Sequence, residues 1–541
     1  MFVRRERGCA AVSESDMAMR SAAGANDVSV GAAPDHSIAS ARVSGKSAIL
    51  QALHRVFSFP VVLASLLVGA VFVPARLFIV DPDIWWHIKV GESILATHRW
   101  PTADPYSFTV AGQPWIAYEW LGEVLWAAVM RMGGLRGLEL LLIVLGSAVI
   151  LALYGYTTLC SGNSKAGFVA CAVLFVLANA SFTLRPQMLG YLFLILTLIA
   201  LELFRQGKRG ALWFLPLLFL AWVNVHGSFV IGLGAILVYW LSGLKDFRLG
   251  GIEARRWPDA ERRRIALVFL LCLAVLPITP YGTQLAVYPF NIALSQPVNV
   301  ANILEWQPMP FGVLGGKLFL ALLIAFIFLQ AVLRISWRLE ELALCLFGIA
   351  MACFHVRFLL IFVPFFAPLL SKILARWVPA YDRSKDRVFL NAAIMAILLG
   401  SFVRYFPSQA DLQKSVAEHF PVKAVEYLET HGIPGPMFNN YGYGGYLVWT
   451  LAPKQRDFID GRADVFERGG VLSDYMHITL LKPGAFAVLR GYGIRSCLLE
   501  RDEPLATVLA ALPEWQRVYL DDHSVIFVRA DSVAGNRTNG P

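Results

Sequence analysis

A succession of long apolar runs limits what this chain can fold into. The first, residues 57–80 (FSFPVVLASLLVGAVFVPARLFIV), is long enough to cross a bilayer, which takes about 20 residues. Others lie near 138–159, 166–182, 187–205, 211–225, 228–244, 264–281, 317–334, 339–354, 358–375 and 388–405. Backbone inside hydrocarbon must satisfy its own hydrogen bonds, so such runs are helices. The expected fold class is therefore an all-α polytopic membrane bundle of about 11 transmembrane helices. Composition agrees. Of 541 residues, 57% are hydrophobic and 16% charged, against about 25% charged in a soluble domain. That balance excludes a water-soluble globule and a disordered chain. Seven cysteines without a CxxC pair exclude a disulfide scaffold and give no zinc or redox site.

The net charge of +9 belongs to loops rather than to a nucleic-acid footprint. Residues 1–45, rich in Ala, Ser and Gly, are expected to be a disordered cytoplasmic tail rather than a signal peptide. Arg42, Lys46 and Arg55 place that tail inside by the positive-inside rule. The basic loop Lys245, Arg248, Arg255, Arg256, Arg262, Arg263 and Arg264 then also falls inside. This count works only if 118–132, which carries Glu119 and Glu123, is an interfacial or re-entrant helix that does not cross. Three segments then face outward: 81–137, 282–316 and everything after 405. The membrane domain spans 57–405, with 81–137 as its first outer loop. Residues 406–541 turn mixed polar and form a small C-terminal α/β soluble domain. Within it SVAEHFPVKAVEYLETHG reads as a helix, and GYLVWTL and RDFID as short strands. VLRGYGIRSCLLE reads as helix–strand, and WQRVYLDDHSVIFVR as strand–turn–strand.

The most unusual stretch follows the first run: DPDIWWHIKVGESILATHRWPTADPYSFTVAGQPWIAYEWLGE. Asp81 and Asp83 stand at a membrane-helix end, where a carboxylate is costly without a partner or a role. Two such carboxylates can hold a divalent cation (Mg or Mn), or one can act as a base. The competing reading is that they only cap a helix. His87 shares a helical face with Asp83. The tryptophans, Trp86 among them, suit an aromatic belt, a sugar platform or an isoprenoid groove.

Other polar residues fall on the same side: Arg185 in LRPQ, Asn224 and His226 in WVNVHG, Glu305 and Trp306, and His355 and Arg357 in HVRF. Their convergence points to one outward polar pocket. Its arginines suit a phosphate. Taken singly, Arg357 also reads as a snorkelling residue and His226 as an interhelical hydrogen-bonder. In the tail, FNNYGYGGYLVWTL and DFIDGRADVF group Asn440, Asp460 and Arg462 beside glycines. They read as acceptor or sugar contacts, or as a salt-bridged edge packing on the bundle. No HExxH, GxSxG, Walker or SxxK pattern occurs.

The DPDIWWH…YEWLGE stretch resembles the first outer loop of bacterial multi-pass proteins related to GT-C-fold glycosyltransferases. These lie near the protein mannosyltransferase and lipid A aminoarabinose transferase types. LRPQ, WVNVHG, HVRF, GGYLVW and FIDGR are similar to further marks of that group, and the resemblance covers the chain from about residue 57. It implies an acidic residue in the first outer loop that acts as base or supports a metal. Asp83 matches first and Asp81 second. It implies a polyprenyl-phosphate sugar donor, with Arg185, His226 and Arg357 as donor-phosphate contacts. His87, Glu119, Trp86, Glu305, Asn440, Asp460 and Arg462 are then contacts for acceptor or sugar. A second acidic motif is missing from the second outer loop, where only Glu305 is available, which leaves metal dependence open. The implied protein is a multi-pass glycosyltransferase of the bacterial inner membrane. Its partners are membrane lipids and an envelope glycan, lipid or protein acceptor, not nucleic acid. The alternatives are a non-catalytic membrane protein of this fold that binds a lipid-linked glycan, and a transporter.

A reporter fused after Phe406 is expected to be active only on the outer face. Cytoplasmic activity would overturn the orientation.

Overall fold

The computed structural model describes residues 51–75, 79–178 and 182–531. The chain divides between Val56 and Phe57, and the described residues from Phe57 onward form one compact unit. The expected disordered tail, 1–45, lies outside the described residues.

Each expected span falls on a helix. Among the described residues, five helical segments are long and apolar enough to cross a membrane: Trp120–Ser161, Gln187–Arg205, Leu314–Leu333, Val356–Leu374 and Val388–Tyr405. Shorter apolar helical segments, such as Phe59–Ala75 and Phe229–Ser242, stand beside them. Leu314–Leu333 and Val388–Tyr405 leave most of their apolar surface uncovered by protein, including Ile327, Phe328, Phe389 and Ile397. Apolar surface on that scale is untenable in water and is ordinary in lipid. This is a multi-pass membrane protein.

Residues 118–132 and 138–159, expected as separate helices, run together as Trp120–Ser161. The break between them is a bend at Gly134, whose φ of 57° and ψ of −150° suit only glycine.

The polar tail carries a four-stranded sheet in the spatial order Met437–Asn439, Ser496–Glu500, Ser524–Arg529, Trp515–Leu520. The first pair is parallel and the others antiparallel. Two expected strands are absent. GYLVWTL is helical, within Tyr441–Leu451, because Asn440 caps it by accepting the Gly442 N–H at 2.7 Å. An apolar run buried on several sides has no period to tell helix from strand. RDFID makes only an isolated bridge, Asp457 to Ser107. The single expected helix SVAEHFPVKAVEYLETHG is two, Gln409–His419 and Val422–His431, parted at Pro421.

The segment 81–137 completes the core beneath that sheet. Trp86, Val90, Ile94, Tyr106, Val110 and Trp115 pack with Phe438, Val448, Phe458, Ile459, Val465 and Phe527. Trp85 lies against Phe420, Tyr446 and Trp449 with ring centroids 5.4, 5.2 and 4.7 Å away. The Lys89 ammonium donates to the Ala452 carbonyl at 2.8 Å. Arg462 is the polar fastener. It is fully buried, donates from Nε to Asp460 at 2.9 and 3.0 Å, reaches Ser107 at 3.1 Å, and pairs with Asp104. Asp104 in turn accepts the Tyr106 and Ser107 N–H groups, fixing the loop on its own side.

Removing one member of a buried ion cluster leaves charge without compensation. Arg462→Ala is therefore expected to cost about 3–5 kcal/mol of stability. Thermal unfolding in nanodiscs measures this, and an unchanged melting point would refute the fastener role.

Candidate active site

The helix Asp83–Thr97 begins where the first membrane helix has ended. Its first backbone N–H lacks an intrahelical partner. Asp81 Oδ1 supplies one, accepting the Asp83 N–H at 3.0 Å. The capping reading of these aspartates is thus realised, and it occupies only one oxygen. Asp81 Oδ2 accepts from Arg185 Nε at 2.6 Å, Asp83 Oδ2 lies 3.0 Å from Arg185 Nη2, and Glu305 Oε1 lies 2.6 Å from Nη1. Every nitrogen of one guanidinium therefore meets a carboxylate, and the three carboxylates come from two segments far apart in sequence. Arg185 itself sits in the short turn before the helix Gln187–Arg205, where Trp126 Nε1 donates to the Leu184 carbonyl at 2.9 Å.

Asp83 is held from the far side as well. Trp86 Nε1 donates to its Oδ1 at 3.2 Å. The C-terminal segment closes over it at Gly461, where a Cβ would lie 1.8 Å from Asp83 Oδ1. Only glycine fits there, which explains the G of FIDGR. Burial raises the Asp83 carboxyl to about 6 against the pull of Arg185, and the neighbouring Asp81 and Glu305 raise it further.

Beside this cluster lies a row of imidazoles and carboxyls. His226 Nε2 stands 3.5 Å from Glu119 Oε1, His87 Nε2 3.6 Å from Glu119 Oε2, and His87 Nδ1 3.3 Å from Glu123 Oε1. The helices bearing His87 and Glu123 cross closely, since a Cβ on Gly91 would lie 2.0 Å from the Glu123 carbonyl oxygen. Burial raises Glu119 to about 8, opposed by Arg185 and Arg357. Burial also lowers His87 well below the usual imidazole range and His226 to about 3, so both rings are neutral.

The segment carrying Glu305 is pinned from two directions. The Trp306 carbonyl lies 2.6 Å from His355 Nδ1, and the Val356 N–H donates to the Gln307 carbonyl at 3.0 Å. From the C-terminal segment, Glu467 accepts the Val298 and Asn299 N–H groups, both at 2.8 Å. Arg357 lies over the Trp306 ring at 4.2 Å and makes no ion pair among the described residues.

The structure thus gathers Asp81, Asp83, Arg185, Glu305, His87, Glu119, His226 and Trp86 into one polar cluster, with Arg357 near enough for its charge to act on Glu119 and His226. The cluster reaches the surface at Arg185, Asp83 and Glu305, whose side chains are 20%, 17% and 38% exposed. Asp460 and Arg462 have no surface left for a ligand. Asn440 is committed to its helix cap and to Glu503, 3.3 Å away. Two participants went unseen in the sequence. Asp104 had a signal, the DP turn of TADPYS. Ser228, whose N–H donates to His226 Nδ1 at 3.1 Å, had none.

Among the described residues no three His, Cys, Asp or Glu side chains form a metal-ligand set. The carboxylates of Asp81, Asp83 and Glu305 converge on Arg185, a cation of the chain's own. These residues do not fit a divalent ion as they stand, and we route no step through one.

No family model matches the chain, and no curated protein matches it. Solved structures do. The chain is similar to an Archaeoglobus fulgidus oligosaccharyltransferase tethered to an acceptor peptide, at 12% identity and a TM-score of 0.45, over 82% of this chain and 70% of that one. It is similar to AglB of the same organism in complex with an inhibitory peptide and a dolichol-phosphate, at 11% identity and 0.44, over 81% and 69%. It is also similar to ArnT from Cupriavidus metallidurans bound to undecaprenyl phosphate, at 15% identity and 0.44, over 88% and 98%.

Gly461→Ala is expected to push Asp83 off Arg185 and to cost about 1–3 kcal/mol. Gly400→Ala, whose methyl meets open space, serves as control. Equal melting points for the two variants would show that the contact at Gly461 relaxes freely.

Proposed function

We propose that this protein is a glycosyltransferase of GT-C type that moves a sugar from a polyprenyl-phosphate donor to an envelope glycan, lipid or protein acceptor. The reaction site is the polar cluster on the outer face of the bacterial inner membrane, with the N-terminus cytoplasmic. The observation that carries this reading is the Asp81–Asp83–Arg185–Glu305 cluster. It stands at the end of an apolar bundle, where a lipid tail has hydrocarbon and a sugar head has water. The resemblance of the DPDIWWH and FIDGR stretches to that group supports it, since these two stretches meet at Asp83 and Gly461.

Glycosyl transfer needs a group to take the acceptor's proton and something to offset charge on the departing phosphate. Asp83 suits the first. It is partly exposed, and its pKa near 6 leaves it ionised at neutral pH yet basic enough to accept a proton. Asp81 orients it through the helix cap. Arg185 has its nitrogens engaged by carboxylates, so it holds the cluster together. Arg357, with His226, is the better match to the phosphate. In the step itself the acceptor O–H gives its proton to Asp83, the acceptor oxygen bonds to the sugar's anomeric carbon, and the bond from that carbon to the phosphate oxygen breaks.

The test is donor consumption. Wild type and Asp83→Asn in nanodiscs are given a panel of polyprenyl-phosphate sugars, with membrane extract as acceptor. Wild-type turnover is expected to rise as pH rises through about 6, because the base must be ionised. The variant should be slower by about 10²–10⁴-fold. Binding of these lipids without consumption by either protein would favour the non-catalytic reading instead.

A further inference from the structure

The proposed base leaves a second carboxyl in the cluster without a role. Glu119 differs from Asp83 in its company. Asp83 touches a guanidinium, whereas the ionic partners of Glu119 within 4 Å, among the described residues, are two imidazoles. The state of one ring follows from its bonds. His226 Nδ1 accepts the Ser228 N–H at 3.1 Å, so a neutral His226 carries its hydrogen on Nε2, facing Glu119 Oε1. On the other side, His87 turns Nδ1 to Glu123 at 3.3 Å and Nε2 to Glu119 Oε2. No lysine or arginine among the described residues pairs with Glu119, so its buried carboxyl favours the protonated form. At 3.5 and 3.6 Å neither ring binds the Glu119 carboxyl tightly, so an arriving oxygen can take its hydrogen. Exposure falls along the row, from 18% at His226 and 10% at Glu119 to 3% at His87 and 1% at Glu123. The surface end is therefore Glu119 with His226.

We propose that Glu119 is the proton donor to the departing phosphate oxygen, paired with Asp83 as base, so that two carboxyls of one cluster take opposite roles. The proposal rests on the transferase reading above. As the bond from sugar to phosphate breaks, the Glu119 proton passes to the phosphate oxygen. The Glu119 carboxylate left behind is met by the His226 Nε2–H. When products leave, Glu119 regains the proton that Asp83 took from the acceptor. The sum is acceptor hydroxyl plus donor giving glycoside plus polyprenyl hydrogen phosphate, with no proton left over. A phosphate monoester's second ionisation lies near ~6, close enough to a neutral buried carboxyl for transfer. The groups facing Glu119 set its proton affinity. Burial raises it to about 8, Arg185 and Arg357 oppose, and Asp83 and Glu305 add to the rise. Glu123, on the far side of His87, also lies within reach of the Glu119 charge.

The test uses full-length protein in nanodiscs. Infrared titration upward from neutral pH should show a protonated-carboxyl C=O band that disappears as pH rises through about 8 and is absent from Glu119→Gln. The same band in the variant, or no band assignable to Glu119 in wild type, overturns the proposal. In the donor-consumption assay, wild-type turnover should fall as pH rises through about 8, because the acid must be protonated. Glu119→Gln, which keeps the shape and cannot give a proton, should be about 100-fold slower at saturating donor with little change in KM and without that alkaline limb. Glu119→Asp should recover part of the rate and the limb. A retained alkaline limb in Glu119→Gln would also sink the role. A wild type that shows the band but consumes no donor would overturn the transferase reading and the acid's role with it, while leaving the neutral carboxyl standing.

Discussion

The guanidinium of Arg185 is what the polar end of this molecule is assembled around. A cation placed at the end of a membrane bundle must be paired, because neither hydrocarbon nor protein interior will hold it alone. Here the pairing is threefold, and the partners are far apart in sequence: Asp81 and Asp83 at the start of one polar segment, Glu305 in another. Satisfying one charge therefore draws two polar segments onto the turn before the helix Gln187–Arg205. Three carboxylates on one arginine leave the cluster with carboxylate to spare for proton chemistry, while a donor phosphate is left to Arg357.

The C-terminal segment repeats the device one layer out. Arg462 joins Asp460 of its own segment to Asp104 of the segment 81–137, with no water-exposed atom to soften the pairing. Aromatic burial around Trp85, Trp86 and Trp115 supplies the apolar part of the same join. With that join made, Gly461 is delivered onto Asp83 and Glu467 onto the segment 282–316. The polar end of the protein is thus cross-tied: the tail positions both segments, and both segments supply the cluster. The cluster's environments then diverge over a short distance. Burial raises the carboxyl beside Arg185 to about 6, and the one between two imidazoles to about 8.

Much of this was legible before any coordinates. Hydrocarbon forces helices on long apolar runs, so each expected span lies on one. The residues flagged by cost, carboxylates and arginines at helix ends, are those that meet in the cluster, because burial penalties select for partners wherever the chain finds them. The failures have equally local causes. GYLVWTL was misread because an apolar run buried on several sides shows neither period. Asp460 and Arg462 looked like ligand contacts because a polar cluster beside glycines has the same composition whether it faces a substrate or a buried aspartate. Ser228 gave no signal, since its part is a single backbone N–H.

The sequence by itself determined the solvent, the helices and the inventory of costly polar groups, since each follows from transfer energies that act residue by residue. It also restricted the glycines to places where something must come close. The tertiary structure decided which charge meets which. Pairing depends on contacts between segments more than a hundred residues apart, and nothing local distinguishes Glu305 as the partner of Arg185 or Asp104 as the partner of Arg462. It also decided the split between Asp83 and Glu119, because a carboxyl's proton affinity is set by the neighbours that folding brings to it and not by its place in the chain.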